Sequence, residues 1–190
     1  NLGLRAADGA LGNIFGGTVK VEVLDEFDAS FDELFESVAA ALPCVAEKDA
    51  AFLRWRYGPD SPQYPATVLG VKEGEALLGY AVLRVTREGD NGYLLDLTTR
   101  PGRDDVARSL LRGAVGHFAR GGVYIVRYRF LESPTSPRMK DLWRLGFFPR
   151  NGRRHTLLVK FAERGLHKTA VDVGNWSYSA GDGEMTFWVR

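Results

Sequence analysis

A chain of 190 residues with 45% hydrophobic and 12% aromatic content carries enough apolar surface for one full core plus an appendage, which excludes an intrinsically disordered chain. Its 25 Lys plus Arg stand against 24 Asp plus Glu, so the net charge of +1 gives no overall field to recruit nucleic acid or an anionic membrane. With one cysteine (Cys44), no apolar run near the roughly 20 residues of a membrane helix and no charged-then-apolar leader, the expectation is a cytoplasmic protein without membrane or nucleic-acid partners.

Residues 1–17 hold Gly3, Gly9, Gly12, Gly16 and Gly17 without a period. They read as a lead-in or linker to a domain over 18–161, with an extension over 162–190. Thr18 to Leu24 alternates Val19, Val21 and Val23 with Lys20 and Glu22, the period of a half-buried strand. Ser30 and Glu33 have the spacing of a capping box, and Phe31, Leu34, Phe35, Val38, Ala41 and Leu42 form the stripe of the helix it opens. Pro43 ends that helix. A second helix is expected from about Glu47 to Tyr57, stopped by Gly58-Pro59.

A sheet follows. Ala66 to Val71 and Ala76 to Thr86 flank a Lys72-Glu73-Gly74-Glu75 turn, and the second of these strands is apolar on both faces, which makes it central and helix-covered on each side. The fold class is therefore α/β or α+β with a mixed central sheet. Tyr93 to Thr99 is the next strand, followed by a helix from about Asp104 to Arg120 whose stripe is Val106, Ala107, Leu110, Leu111, Ala114, Val115 and Phe118. Gly121-Gly122 terminate it. Val123 to Phe130 is a strand with Arg127 and Arg129 on one face, a turn between Pro134 and Pro137 opens a helix through Leu145, and Arg154 to Phe161 is a further strand. In the extension, Gly181-Asp182-Gly183 reads as the turn of a β-hairpin between Trp176 to Ser179 and Met185 to Val189.

Two stretches stand out within this order of elements. One is Asp96-Leu97-Thr98-Thr99-Arg100-Pro101-Gly102-Arg103-Asp104-Asp105-Val106-Ala107-Arg108, and the other is Leu145-Gly146-Phe147. Together they resemble the GCN5-related N-acetyltransferase (GNAT) superfamily over Ala66 to Phe161. Arg54-Trp55-Arg56-Tyr57 and the stretch from Asn175 to Glu184 are similar to the C-terminal half of bacterial tandem GNAT-like proteins. The resemblance implies a GNAT fold and transfer of an acyl group from acetyl-CoA or another acyl-CoA to the amine of a small-molecule or peptide acceptor. It also implies a partner, either an N-terminal domain or a second copy in a homodimer.

The resemblance places the cofactor on Leu97, Thr98, Thr99, Arg100, Arg103, Asp104, Asp105, Val106, Ala107 and Arg108. There, backbone N–H groups and the positive helix end would face a pyrophosphate. Asp96, the sole charge in an apolar strand, takes the place of a carboxylate base, with Tyr128 as a second catalytic candidate and Tyr93 and His155 behind it. Substrate contacts fall to Arg56, Tyr57, Arg127, Arg129 and Asp182. Departures from the family pattern keep a second reading open, a GNAT-like recognition or dimerisation domain without cofactor. Val106 and Arg108 occupy the family's glycine positions, Asp104 and Asp105 can cap the helix or repel an anion, and Trp143 replaces an acidic tyrosine. The same residues also fit plainer roles: Asp96 paired with an arginine or a loop N–H, solvated arginines, and Trp55 and Tyr57 as core anchors.

No metal is expected. His117, His155 and His167 share no ligand spacing with one another or with Cys44, and neither a Gly-x-Ser-x-Gly elbow nor a Walker loop occurs, which removes hydrolase and nucleotide triphosphatase readings.

Overall fold

The strand periodicities build a five-stranded sheet in the computed structural model of the chain, which describes residues 19–149 and 162–183. The lead-in over 1–17, the strand expected over 154–161 with His155, and the Met185 to Val189 arm lie outside the described residues. Five strands lie side by side in the order β1 (Glu22–Leu24), β3 (Thr67–Glu73), β4 (Ala76–Val85), β5 (Asn91–Thr99) and β6 (Ile125–Tyr128). All neighbours are antiparallel except β5 and β6, which are parallel and joined through the long helix α3 (Asp104–Arg120). A separate parallel pair joins β2 (Cys44–Val45) to β7 (Trp176–Ser177).

Two apolar clusters sandwich the sheet. The stripe of α3 (Val106, Leu110, Leu111, Ala114, Phe118) packs on Leu69, Val71, Ala81, Leu83, Leu94 and Leu97. On the opposite face, α1 (Ala29–Ala41) and α2 (Ala50–Tyr57) place Phe31, Leu34, Val38, Leu53 and Tyr57 on Val68, Leu77, Tyr80, Val82 and Leu95. Apolar on both faces, β4 is central and buried along nearly its whole length. The chain is thus a mixed α/β domain with helices on both faces of its sheet. Each fully buried Leu or Phe in these layers contributes about 1.5–3 kcal/mol.

Both early helices start at a different residue than the sequence pattern suggests. Asp28, not Ser30, caps α1: its carboxylate accepts the Ser30 N–H at 2.9 Å and the Ser30 hydroxyl as well. That hydroxyl first, and Lys72 beside it, hold the Asp28 carboxyl below its usual range. Asp49 caps α2 by accepting the Phe52 N–H at 2.6 Å, so the helix begins at Ala50 and leaves Lys48 in the preceding extended segment. Aspartate wins both sites because a charged acceptor at the N-cap also meets the positive helix end. Trp55 is no core anchor, being 64% exposed, while Tyr57 on the next turn face is buried.

One irregularity decides the site. Val82 pairs with Asp96 but Leu83 pairs with Leu94, so Leu95 is an extra residue on β5 and forms a bulge. Leu95 and Asp96 consequently both serve the α1/α2 face: Leu95 joins that apolar cluster, and Asp96 lies opposite Val82 of the same cluster. The pairing of β5 with β6 ends at Leu94, and beyond it the chain from 177 to 183 comes to lie against β5. There Phe130 bridges to Ser179, and Ala180 N–H donates to the Arg129 carbonyl. A short helix α4 (Met139–Arg144) follows β6; in the extension, residues before the 177–183 segment form the helix α5 (Arg164–Val171), and Ala180–Asp182 is a turn of 3₁₀ helix.

Candidate functional site

Asp96 is brought into the interior by the apolar strand that carries it, and at 1% exposure it needs partners. Its ion partner is a lysine, not an arginine. Lys48 Nζ lies 3.0 Å from Asp96 Oδ2 and 3.0 Å from Asp182 Oδ2, with both side chains 3% exposed or less. Ser179 Oγ accepts from the same ammonium at 3.3 Å, Thr98 Oγ1 donates to Asp96 Oδ1 at 3.0 Å, and Tyr80 Oη donates to Asp96 Oδ2 at 3.3 Å. Asp182 is aimed by its own turn, since its Oδ2 accepts the Ser179 N–H at 2.7 Å. Two carboxylates thus share one ammonium.

The charge states follow from that count. Burial alone would lower the Lys48 pKa, but the charges of Asp96 and Asp182 outweigh it and hold the ammonium above its ordinary value. Asp182 is pushed up, by burial first and by Asp96 against the pull of Lys48. Tyr57, Tyr80 and Tyr128 are all raised well above a free phenol, by burial first and then by the Asp96 charge. Tyr57 Oη, Tyr128 Oη and Asp182 Oδ1 are buried without a hydrogen-bond partner. A cavity of about 10 Å³ opens beside Lys48, Tyr80 and Thr98 under Leu34, Phe35, Val38 and Val45, room for about one water.

The second constellation is the turn from β5 into α3. Gly102, at φ 76°, makes the bend, and its N–H donates to the Pro134 carbonyl at 2.9 Å, while Thr99 N–H donates to Thr135 at 3.0 Å. Three arginines round this turn face carboxylates, and one of those carboxylates, Asp141, also meets Arg144 at 3.5 Å. Arg103 grips Asp105 with two bonds of 2.9 and 2.8 Å, Arg138 meets Asp104 at 2.7 Å, and Arg108 faces Asp141 at 3.9 Å. Arg100 Nε donates to the Leu77 carbonyl at 3.2 Å. Val106, expected to crowd the phosphate path, is fully buried under the helix, as is Ala107, so neither side chain stands at the helix mouth.

The Arg103 bonds, together with the Val106 and Asp105 backbone N–H groups, lower the Asp105 carboxyl to about 2 from the ordinary 3.8. A depressed carboxylate adds stability above its unfolded value and loses it as pH falls through the folded one. Asp105→Asn is therefore expected to remove part of the wild-type loss of stability between pH 3.8 and about 2. Urea midpoints measured across that interval at low salt check it. Half-exposed side chains make this contribution small and salt-sensitive.

Of the substrate candidates, Arg56 donates to the carbonyls of Gly181 (3.1 Å) and Gly183 (2.7 Å), and Tyr57 Oη lies against Gly181. Both hold the extension that carries Asp182 onto the sheet. Arg127 is exposed beside Tyr93, and Arg129 contributes its backbone carbonyl to Ala180. Asp96, Tyr57, Tyr128 and Asp182 therefore belong to one buried cluster, and the Arg100 to Arg108 turn is a separate one. Lys48 and Tyr80 are the members that sequence reasoning missed. Tyr80 had a signal, as the only hydroxyl within Ala76–Val85; Lys48 had none, since the sequence places it inside the helix expected from about Glu47, whereas it lies ahead of Ala50 in an extended segment.

The architecture and these two clusters define a mixed α/β domain with a buried carboxylate centre and a strand–turn–helix unit ringed by ion pairs. No family model matches the sequence, and no curated protein matches it. Among solved structures, the chain is similar in fold to an aminoglycoside acetyltransferase from an uncultured soil metagenomic sample, crystallised with trehalose. That pair has 15% identity, 76% of this chain and 96% of that chain covered, and a TM-score of 0.44. It is also similar to an integron cassette protein from the mobile metagenome of Cole Harbour Salt Marsh, at 19% identity, 81% and 98% coverage and a TM-score of 0.46. Likeness at this level is one of chain trace and assigns no substrate.

Proposed function

We propose that the chain is an acyl-CoA-dependent N-acyltransferase of GNAT type acting on an amine acceptor. The observation that carries this reading is the continuous unit of bulged strand β5, positive-φ turn at Gly102 and N-terminus of the 17-residue helix α3. Backbone N–H groups at such a helix start, with the helix dipole behind them, suit a phosphate-bearing cofactor. Arg100, Arg103, Arg108 and Arg138 stand round it, and a pyrophosphate would compete with Asp104, Asp105 and Asp141 for the last three.

In the acceptor region, Asp96 and Asp182 are the two candidate bases, each 3.0 Å from the Lys48 ammonium. Asp182 suits the role better: burial raises its proton affinity and its Oδ1 has no partner. Tyr128, raised well above a free phenol, serves as a hydrogen-bond donor rather than as an acid. Transfer would proceed by direct attack of the amine on the thioester carbonyl with cleavage of the C–S bond, the amine's proton passing to the carboxylate and from there to the departing thiolate.

A second reading, a non-catalytic recognition or dimerisation domain, is favoured by one observation: Arg103 and Asp105 neutralise each other across the helix start. Calorimetric titration of the purified chain with acetyl-CoA and with a longer acyl-CoA, at low and moderate salt, decides between them. Saturable micromolar binding that Arg103→Glu weakens at least tenfold is the expected result. No heat and no thermal stabilisation at millimolar ligand would remove the cofactor, and the transferase reading with it.

A further inference from the structure

Away from both clusters, a row of side chains crosses three strands on the α1/α2 face. Arg84 on β4 pairs with Tyr93 on β5, and Tyr93 pairs with Arg127 on β6, so all three side chains project from one face in line. Arg84 is only 7% exposed. Its Nη1 donates to the Gln63 carbonyl, its Nε has no partner, and it has no carboxylate partner among the described residues. Arg127 is exposed, donates to the Asn91 side chain and stacks its guanidinium 5.5 Å from the centre of the Tyr93 ring, and it too has no carboxylate partner among the described residues. Asp90, the acid at the nearby turn, is bonded to Thr86 and Asn91 instead.

A buried cation without a counter-ion is costly, and among the described residues no acidic neighbour pairs with this row. The cost is visible at Arg84, whose pKa is lowered by burial and then by the charge of Arg87. An arginine in that state is satisfied by a ligand oxyanion. A carboxylate matches the guanidinium fork in shape, and the Tyr93 ring between the two arginines offers a flat apolar wall for the rest of the molecule.

We infer that Arg84 and Arg127, on either side of Tyr93, form an oxyanion site that takes the carboxylate of an acidic small-molecule ligand. The site stands without the acyl-transfer reading. Under that reading the ligand is the acceptor, an amine that also carries a carboxylate. Tyr93 is three residues from Asp96 along β5, so the two groups of such an acceptor would lie on the order of 10 Å apart.

Thermal-shift and calorimetric titrations of the whole chain with acetate, succinate and inorganic phosphate, at constant ionic strength and without any cofactor, test the site. Saturable stabilisation by acetate or succinate is expected, weakened at least tenfold in Arg127→Gln. Because Arg127 is exposed, that variant keeps the fold, whereas Arg84→Gln serves as a second probe only if its melting temperature is close to wild type. Stabilisation that does not saturate, or is unchanged in Arg127→Gln, overturns the site. Tighter binding of phosphate than of either carboxylate, lost in the same variant, overturns the carboxylate assignment. Since acetyl-CoA is absent throughout, failure here leaves the transferase test intact, and the reverse also holds.

Discussion

Lys48→Met is expected to destabilise the domain by about 3–5 kcal/mol, the cost of leaving buried carboxylates without their cation. That is a large part of the roughly 5–15 kcal/mol that holds a domain together. Here the effect is concentrated because one ammonium serves Asp96 and Asp182 at 3.0 Å each, so a single substitution orphans two charges. Chemical denaturation at neutral pH reads the loss directly.

The pH profile separates lost charge from lost packing. In the wild type, the raised Lys48 pKa contributes stability that is complete below its ordinary 10.5 and disappears as pH rises through the folded value. Asp182 has the same sign in a lower window: a raised carboxyl makes ionisation unfavourable to folding, so its cost fades as pH falls toward 3.8. Without Lys48, the pull that holds Asp182 ionised is gone, and the variant should gain stability on acidification from neutral pH. Adding Asp96→Asn and Asp182→Asn should restore much of the loss, because the buried charge is then gone. A deficit under about 1 kcal/mol with no pH dependence would mean that water already solvates the two carboxylates, and the description of the centre as closed would fail.

Gly181→Ala is the second large effect expected, and it comes from space rather than charge. A Cβ at this position would overlap Tyr57 Oη and sit 3.2 Å from the Leu95 carbonyl. Tyr57 is 3% exposed and cannot swing away, and Leu95 is fixed in the bulge. Overpacking of this kind costs about 1–3 kcal/mol. The alternative for the chain is to lift the 177–183 segment, which takes Asp182 off Lys48 and adds part of the electrostatic loss. Hydrogen exchange should show the segment opening while β4 stays protected. Tyr57→Phe alone should cost little, since its hydroxyl has no hydrogen-bond partner to lose. Combined with Gly181→Ala it should rescue, because the nearest ring atom is then 3.2 Å away. A double variant no better than Gly181→Ala would place the strain elsewhere.

Both effects depend on features with unequal traces in the sequence. Periodicity carried the strand and helix pattern well: α3 runs from Asp104 to Arg120 where its apolar stripe and the Gly121-Gly122 stop put it, and the strand from Ala76 is central because both its faces are apolar. Helix starts were less legible, since Ser30 and Asp28 are both good caps and only the packed geometry selects Asp28. The charge of Asp96 in an apolar strand was conspicuous. Its partner was not, because Lys48 lies 48 residues away in an extended segment with no period.

The sequence by itself determined the mixed α/β class, the central strand, the strand–turn–helix unit and the position of one buried carboxylate, because each rests on local hydrophobic period or turn chemistry. Only the tertiary structure decided that Lys48, Asp96 and Asp182 meet, that Arg103 is held by Asp105, and that Arg84 and Arg127 flank Tyr93. The triad and the arginine row join residues far apart in the chain, through a register that the extra residue Leu95 shifts by one. The Arg103 to Asp105 pair is close in sequence, yet its rotamers are fixed only once the turn is packed against Pro134 and Thr135. Side-chain partners of that kind are set by packing, on which a linear pattern is silent.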